Sequence, residues 1–398
     1  MTTIPSVTRR GLRWLLAAAA FGAVTAVSGC SICPGLRGGA DEAGSAGTDA
    51  KPHASAWKHG PRANDPWPDA AETPGGAEVV NIFGEFAGRG MSRGPVRAVG
   101  EAGFQQHTRL DEGEDSGVAI DPTGRWMVYA STRNSEKADL YLQRVDGTSV
   151  TQLTSDAADD AFPSFSPDGK RIAFCSTRSG TWQVYTMDLD GRNVVQVTSA
   201  RTQCVHPTFA PDGRRIAYSS LGSRSGQWEL WTADLETGSQ KMVGYGLFPC
   251  WSPRKDVDRI AYQRPRQRGS RWFSLWTMDL VDGEGRRPTE VAVSPAAAIV
   301  TPCWSPDGKR LAFATVVEPS RDMGGKPVGR QDVWTVDADG TNRQRLTDGN
   351  GCNLMPFWGN GGRVFFISDR DGHECVWSVR ADGAPRTFTA ETDERDAH

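Results

Sequence analysis

The chain has 398 residues, enough for two or three domains or one large all-β domain, and it carries 14 Trp against 6 Tyr. Such use of the bulkiest aromatic points to fixed places in a packed core. A formal net charge of −3 leaves no basic footprint, so nothing points to a nucleic-acid partner.

The chain opens on MTTIPSVTRRGLRWLLAAAAFGAVTAVSGC, with a basic start at Arg9, Arg10 and Arg13, an apolar run from Trp14 to Val27 and a small-residue end. That is the pattern of an export signal, and the apolar run is short for a membrane span. Val27-Ser28-Gly29-Cys30 resembles the bacterial lipobox, which implies that 1–29 is a lipoprotein signal peptide and that Cys30 is lipidated. Thr8-Arg9-Arg10-Gly11-Leu12 also resembles a twin-arginine signal, so the Sec and twin-arginine routes both stay open. Ser31 follows the Cys where an Asp would retain the protein at the inner membrane, which implies anchoring at the outer one.

From 30 to 103 the chain is rich in Gly, Ala, Pro and Asp and shows no sustained periodicity. Such a composition buries too little apolar surface to offset chain entropy and predicts a flexible tether. Val79-Val-Asn-Ile-Phe83 is the exception, as a strand or a docking patch.

Beyond residue 104 one phrase keeps returning: Ile120-Asp-Pro-Thr-Gly124, Phe165-Ser-Pro-Asp-Gly169, Phe209-Ala-Pro-Asp-Gly213, Trp251-Ser-Pro-Arg254, Trp304-Ser-Pro-Asp-Gly308 and Trp358-Gly-Asn-Gly-Gly362. An aromatic closes the following apolar run at Tyr129, Phe174, Tyr218, Tyr262, Phe313 and Phe366, and a second recurs at Tyr141, Tyr185, Trp231, Trp276, Trp334 and Trp377. The spacing is about 45 residues, the range of repeat architectures. The second unit parses into strands at Ala161–Ser166, Arg171–Ser176, Thr181–Asp188 and Val194–Thr198. Pro-Asp-Gly and Asp-Gly supply the fixed φ of Pro and the positive φ of Gly that tight antiparallel reversals require. Four antiparallel strands per unit, six times over, predict an all-β, six-bladed β-propeller over 104–390, followed by a polar tail at 391–398. Gln106-His-Thr-Arg-Leu110 looks like the fourth strands Thr151-Gln-Leu-Thr154 and Arg343-Gln-Arg-Leu-Thr347, so it is expected to complete the last blade, with Arg386-Thr-Phe-Thr389 as its competitor.

The phrase SPDGKRIAF, followed by S-T-R, an aromatic strand and DLDG, is similar to the WD40-like (PD40) repeats of TolB-type β-propellers across about 104–390. The resemblance implies a periplasmic scaffold, since the family's namesake works beside Pal and TolA in outer-membrane integrity. The region 31–100 is too short and Gly-rich for TolB's N-terminal α/β domain, and TolB is not normally a lipoprotein, so those particular partners do not carry over.

Catalytic signatures are sparse. Gly222-Ser-Arg-Ser-Gly226 places Arg224 where a nucleophile elbow needs Ser, His373-Glu374 is followed by Cys rather than completing HExxH, and Asp188-Leu-Asp-Gly191 lacks the later acids of a calcium loop. No cofactor or metal is expected. Eight cysteines stand at 30, 33, 175, 204, 250, 303, 352 and 375. Export permits disulfides, though with Cys30 lipidated an odd number remains. Cys250 and Cys303, in FPCWSP and TPCWSP, fall at matching places in neighbouring repeats, as a pair or as small buried hydrophobes.

In a propeller the short reversals lie on one face, while the loops between strands two and three and those between blades lie on the other. Length and charge vary on the second face, which makes it the candidate binding surface. It carries Arg133, Arg178, Arg224 and Arg370 at equivalent loop positions, the blade-four loop with Arg264, Arg266, Arg268 and Arg271, an insertion at Glu318–Gln331, and an acidic arc that includes Asp156, Asp159 and Asp160. The four equivalent arginines either bond neighbouring blade backbones or line the channel mouth and grip carboxylates. The sequence thus predicts a non-enzymatic, lipid-anchored, monomeric propeller that binds a periplasmic or outer-membrane protein or peptide, possessing no membrane contact beyond its anchor. The alternatives are a propeller-based polysaccharide lyase or hydrolase with its site at the channel mouth, or the regulatory propeller of a prolyl-oligopeptidase-like enzyme. The last is disfavoured because no hydrolase sequence follows residue 390.

Overall fold

The computed structural model describes residues 103–265, 273–294, 297–317, 331–349 and 351–382, together with the backbone of 80–81. Cys30, the export segment, most of the tether, Arg266, Arg268, Arg271, the body of the blade-five insertion, Arg386–Thr389 and the tail lie outside the described residues. The described chain is all β, in six sheets that are antiparallel apart from one added strand at 80–81.

From the innermost strand outward, blade one comprises Asp115–Ile120, Trp126–Ser131, Asp139–Arg144 and Val150–Gln152. Blade two comprises Asp160–Phe165, Arg171–Ser176, Gln183–Asp188 and Val195–Gln196, each boundary within two residues of the one expected. Blade three runs from Cys204–Phe209 through Arg215–Leu221 and Trp228–Asp234 to Gln240–Tyr245. Blade four has Leu247–Trp251, Arg259–Pro265, Phe273–Val281 and Glu284–Val293, and blade five has Ala297–Trp304, Arg310–Val317, Gln331–Asp337 and Gln344–Arg345. Blade six takes Asn353–Gly359, Arg363–Ser368 and Cys375–Arg380 from the end of the described chain, and Gln105–Gln106 from its start. Each innermost strand touches those of both neighbouring blades, which closes the ring.

The closure follows the N-terminal expectation. Gln105 and Gln106 pair antiparallel with Ser378 and Trp377. Thr108 accepts the Val376 N–H at 2.8 Å, as Thr154, Thr198 and Thr347 accept those of Leu140, Val184 and Val333 in their own blades. Thr108 is thus the threonine of a fourth strand, which is why the segment resembles the others in sequence. Its hydroxyl also donates to the fully buried Asp115 of blade one at 2.5 Å, tying the last blade to the first. Of the patch at 79–83, Val80 and Asn81 form a strand that pairs parallel with Ala292 and Val293, adding a fifth strand to blade four.

The first aromatic column is the core: Tyr129, Phe174, Tyr218, Tyr262, Phe313 and Phe366 are each at most 2% exposed. Placing a ring at the centre of every blade buries apolar area against both neighbouring sheets, the main favourable term for such a fold. The repeated turn is stabilised locally as well. In Ser166-Pro-Asp-Gly169, Asp168 accepts from the Ser166 hydroxyl at 2.6 Å and from the Lys170 N–H at 3.1 Å, while Gly169 adopts φ +69°; Ser305, Asp307 and Gly308 repeat the arrangement.

Candidate functional site

Two arginine columns grow out of the repeated phrase. In the first, the Arg that opens strand two lies over the aromatic opening the turn of the following blade: Arg171 over Phe209, Arg215 over Trp251 and Arg310 over Trp358, at 5.6, 4.9 and 4.6 Å from the ring centroids. Guanidinium groups stack readily on such faces. The phrase is therefore a joint between blades as well as a turn, a role the sequence alone did not reveal.

The second column contains the loop arginines expected to bond neighbouring backbones or to grip a ligand. Arg133, Arg178 and Arg370 instead fold back on side chains of their own blades. Each donates through Nε to the serine closing strand two, Ser131, Ser176 or Ser368, at 3.1, 2.8 and 3.3 Å. Each also reaches a fully buried first-strand residue, Asp115, Asp160 or Asn353, at 3.2, 3.1 and 3.2 Å. The same guanidiniums lie over both aromatics of their blade, Tyr129 and Tyr141, Phe174 and Tyr185, Phe366 and Trp377. Arg264 lies over Trp276. Arg224 is different: it is exposed and makes no ion pair among the described residues.

Part of the acidic arc meets these cations directly. Arg178 bridges Asp156 at 2.9 Å and Asp160 at 3.1 Å, while Asp159 takes Lys137 Nζ at 2.7 Å. Burial pushes the Asp115 and Asp160 carboxyls above the usual range, against the pull of their hydrogen bonds and arginines. Asp139 sits nearby with no ion pair among the described residues and is raised to about 6 by burial and by the charges of Asp160 and Asp156. The loop face thus presents an interlocked set of charges between blades one and two, with Arg224 standing free in blade three. A cleft of about 610 Å³ opens beside the ring closure, lined by Gln105, His107, Arg109, Arg133, Gln143 and Asp146 among others. Among the described residues no three His, Cys, Asp or Glu side chains gather as a metal site requires.

A second ring lies deeper, on the innermost strands. Gly117, Phe162, His206, Phe248, Thr301 and Met355 hold the same place in the six blades, and all adopt φ between 52° and 58°. Each sits in a β-bulge where the inner-strand register shifts. Pro follows in five blades, at 163, 207, 249, 302 and 356, and a bulge on an edge strand is where a strand tolerates Pro. These x-Pro pairs were the available signal for the ring. Its aromatic members touch: the His206 ring lies 4.2 Å from that of Phe162 and 3.6 Å from that of Phe248. Leu354 and Met355 of blade six and Phe162 of blade two belong to one apolar cluster that also holds Val118 and Ile120 of blade one. His206 is 8% exposed, neither ring nitrogen has a partner among the described residues, and burial lowers its pKa to about 3. It is held as a neutral aromatic.

A closed ring of six four-stranded blades, with an apolar belt inside and a charged loop face at one end, defines a β-propeller scaffold. The chain belongs to the family of TolB- and tricorn-type propellers: the family model for the Tricorn protease N-terminal beta propeller domain matches residues 187–398, and that for the TolB beta propeller domain matches 103–189. A TolB homolog of Chlorobium luteolum is 42% identical over 81 residues, 20% of this chain and 19% of that protein. Dipeptidyl-peptidase 5 of Porphyromonas gingivalis is 27% identical over 282 residues, 65% of this chain and 38% of that protein. Among solved structures, TolB of Acinetobacter baumannii aligns over 67% of this chain and 63% of that one, at 19% identity and a TM-score of 0.45. The chain thus spans about a fifth of the length of the TolB homolog and 38% of the peptidase.

Proposed function

We propose that this chain is a non-enzymatic propeller exported to the periplasm, anchored at the outer membrane through lipidated Cys30, and that it binds a protein or peptide partner at its long-loop face in cell-envelope maintenance. The supporting observation is the division of the repeat. What the blades share is spent on turns, inter-blade joints and core, whereas the loop face differs from blade to blade and alone carries Arg224 free of any ion pair among the described residues.

The test is recovery of cross-linked partners from cell envelopes, comparing the natural chain with Arg224→Glu and with a variant carrying Glu at 264, 266, 268 and 271. Reduced recovery by either variant supports the reading; unchanged recovery by both removes Arg224 and the blade-four loop from it. Metal-dependent cleavage of polysaccharide by the purified chain would replace the binding reading with the lyase or hydrolase alternative.

A further inference from the structure

Cys250 of blade four and Cys303 of blade five hold the same place in their innermost strands, two residues beyond the left-handed Phe248 and Thr301 and one before Trp251 and Trp304. Both thiols are free, and the residue after Cys303 contacts Cys250 across the blade boundary. Each sulfur is also held by the blade that follows. The Trp304 N–H donates to Cys250 Sγ at 3.4 Å, and the Trp358 N–H to Cys303 Sγ at 3.4 Å. The Trp304 indole reaches the Cys250 carbonyl at 3.1 Å, so the two strand ends are locked in register. The same place is taken by Ala119, Ser164, Thr208 and Phe357 in the other blades, so at this position only the boundary between blades four and five has a cysteine on both sides.

We propose that Cys250 and Cys303 form an inter-blade disulfide, made by exchange with a glutathione-class disulfide oxidant, that cross-links blades four and five. Cys250 is the less buried of the two, and the hydrogen bond that its sulfur accepts from the Trp304 amide favours its thiolate. Its thiolate attacks one sulfur of the oxidant, forming a mixed disulfide and releasing one glutathione thiolate. The Cys303 thiolate then attacks Cys250 Sγ and releases the second. Two protein thiols lose two protons and two electrons, and one oxidant disulfide becomes two thiols. The bond closes a chain loop from 250 to 303 and restricts the unfolded chain, reinforcing a boundary far in sequence from the closure at blade six. The reaction needs an oxidant rather than a particular compartment, so it stands apart from the export reading.

The full chain, unfolded in urea and refolded in mixed reduced and oxidised glutathione, is alkylated, digested without reduction and mapped by mass spectrometry. The peptide carrying Cys250 is expected linked to that carrying Cys303, two mass units below the sum of the free peptides, and the oxidised chain is expected to melt several degrees above the reduced one. Refolding during oxidation ensures that burial does not block access. Alkylated Cys250 and Cys303 in chain that regains its native tryptophan fluorescence overturns the proposal, as does Cys250 linked to any other cysteine.

Discussion

Arg310 of blade five lies over the Trp358 indole of blade six, its guanidinium carbon 4.6 Å from the ring centroid. Both residues belong to the repeated phrase, Arg310 to one copy and Trp358 to the next, so the repeat builds the joint between blades. Arg310→Met keeps the aliphatic stem and removes the charge. It is expected to cost about 1 kcal/mol in urea unfolding, the scale of a part-buried cation–π contact. No loss in a double-mutant cycle with Trp358→Leu would mean that the pair packs without that attraction.

Arg178 and Arg224 were equivalent in sequence and are opposites in space. Arg178→Ala strips the fully buried Asp160 of its cation and is expected to cost about 3–5 kcal/mol, the scale of a broken buried pair. Arg178→Lys is expected to recover little, since one ammonium cannot serve Ser176, Asp156 and Asp160 together. Arg224→Ala is expected to change stability by under about 0.5 kcal/mol, as exposed positions do. Equal destabilisation by the Arg178 and Arg224 alanine variants in thermal melts would refute the distinction.

The ring closure hangs on Thr108, which serves the Val376 N–H and the buried Asp115 carboxylate together. Thr108→Val preserves shape and leaves both groups short of a partner, with an expected cost of about 2–3 kcal/mol. Limited proteolysis should then cut the N-terminal strand before the rest of the ring. Uniform resistance would show that the strand is held by other contacts.

His206 carries a pH signature. Burial holds its pKa at about 3 in the folded ring, well below the ordinary 6.5. As pH falls below 6.5 the unfolded chain takes up a proton that the folded chain refuses, so stability drops until pH approaches 3. His206→Phe keeps a ring between Phe162 and Phe248, two residues that already adopt the same left-handed backbone. The variant is expected to be spared about 2–3 kcal/mol of the loss between pH 7 and 4.5. Chemical-denaturation midpoints across that range decide it, and parallel pH profiles for the two proteins would contradict a buried neutral His206.

Much of the molecule was legible because a propeller is written in local signals. Pro-Asp-Gly and Asp-Gly specify reversals through backbone conformation alone, and the Tyr129-to-Phe366 column specifies one buried ring per blade. The closing strand was one of two candidates in the sequence, and the structure gives the place to Thr108, where Thr154 and Thr347 stand in complete blades. The inner ring was missed because its members, Gly117, Phe162, His206, Phe248, Thr301 and Met355, share a backbone conformation and no side-chain chemistry. Only the Pro after five of them betrayed it.

By itself, then, the sequence determined the number of blades, their turns and their core rings, because each depends on residues near one another in the chain or on a pattern repeated six times, while it left two candidates for the strand that closes the circle. The tertiary structure decided which charges are spent. Whether an arginine faces solvent or a buried aspartate depends on what the first strand of its blade offers: Asp115, Asp160 and Asn353 meet Arg133, Arg178 and Arg370, and Arg224 meets no ion-pair partner among the described residues. Such pairings join residues about 18 apart across a sheet, and their energy comes from burial, which no local stretch of sequence displays.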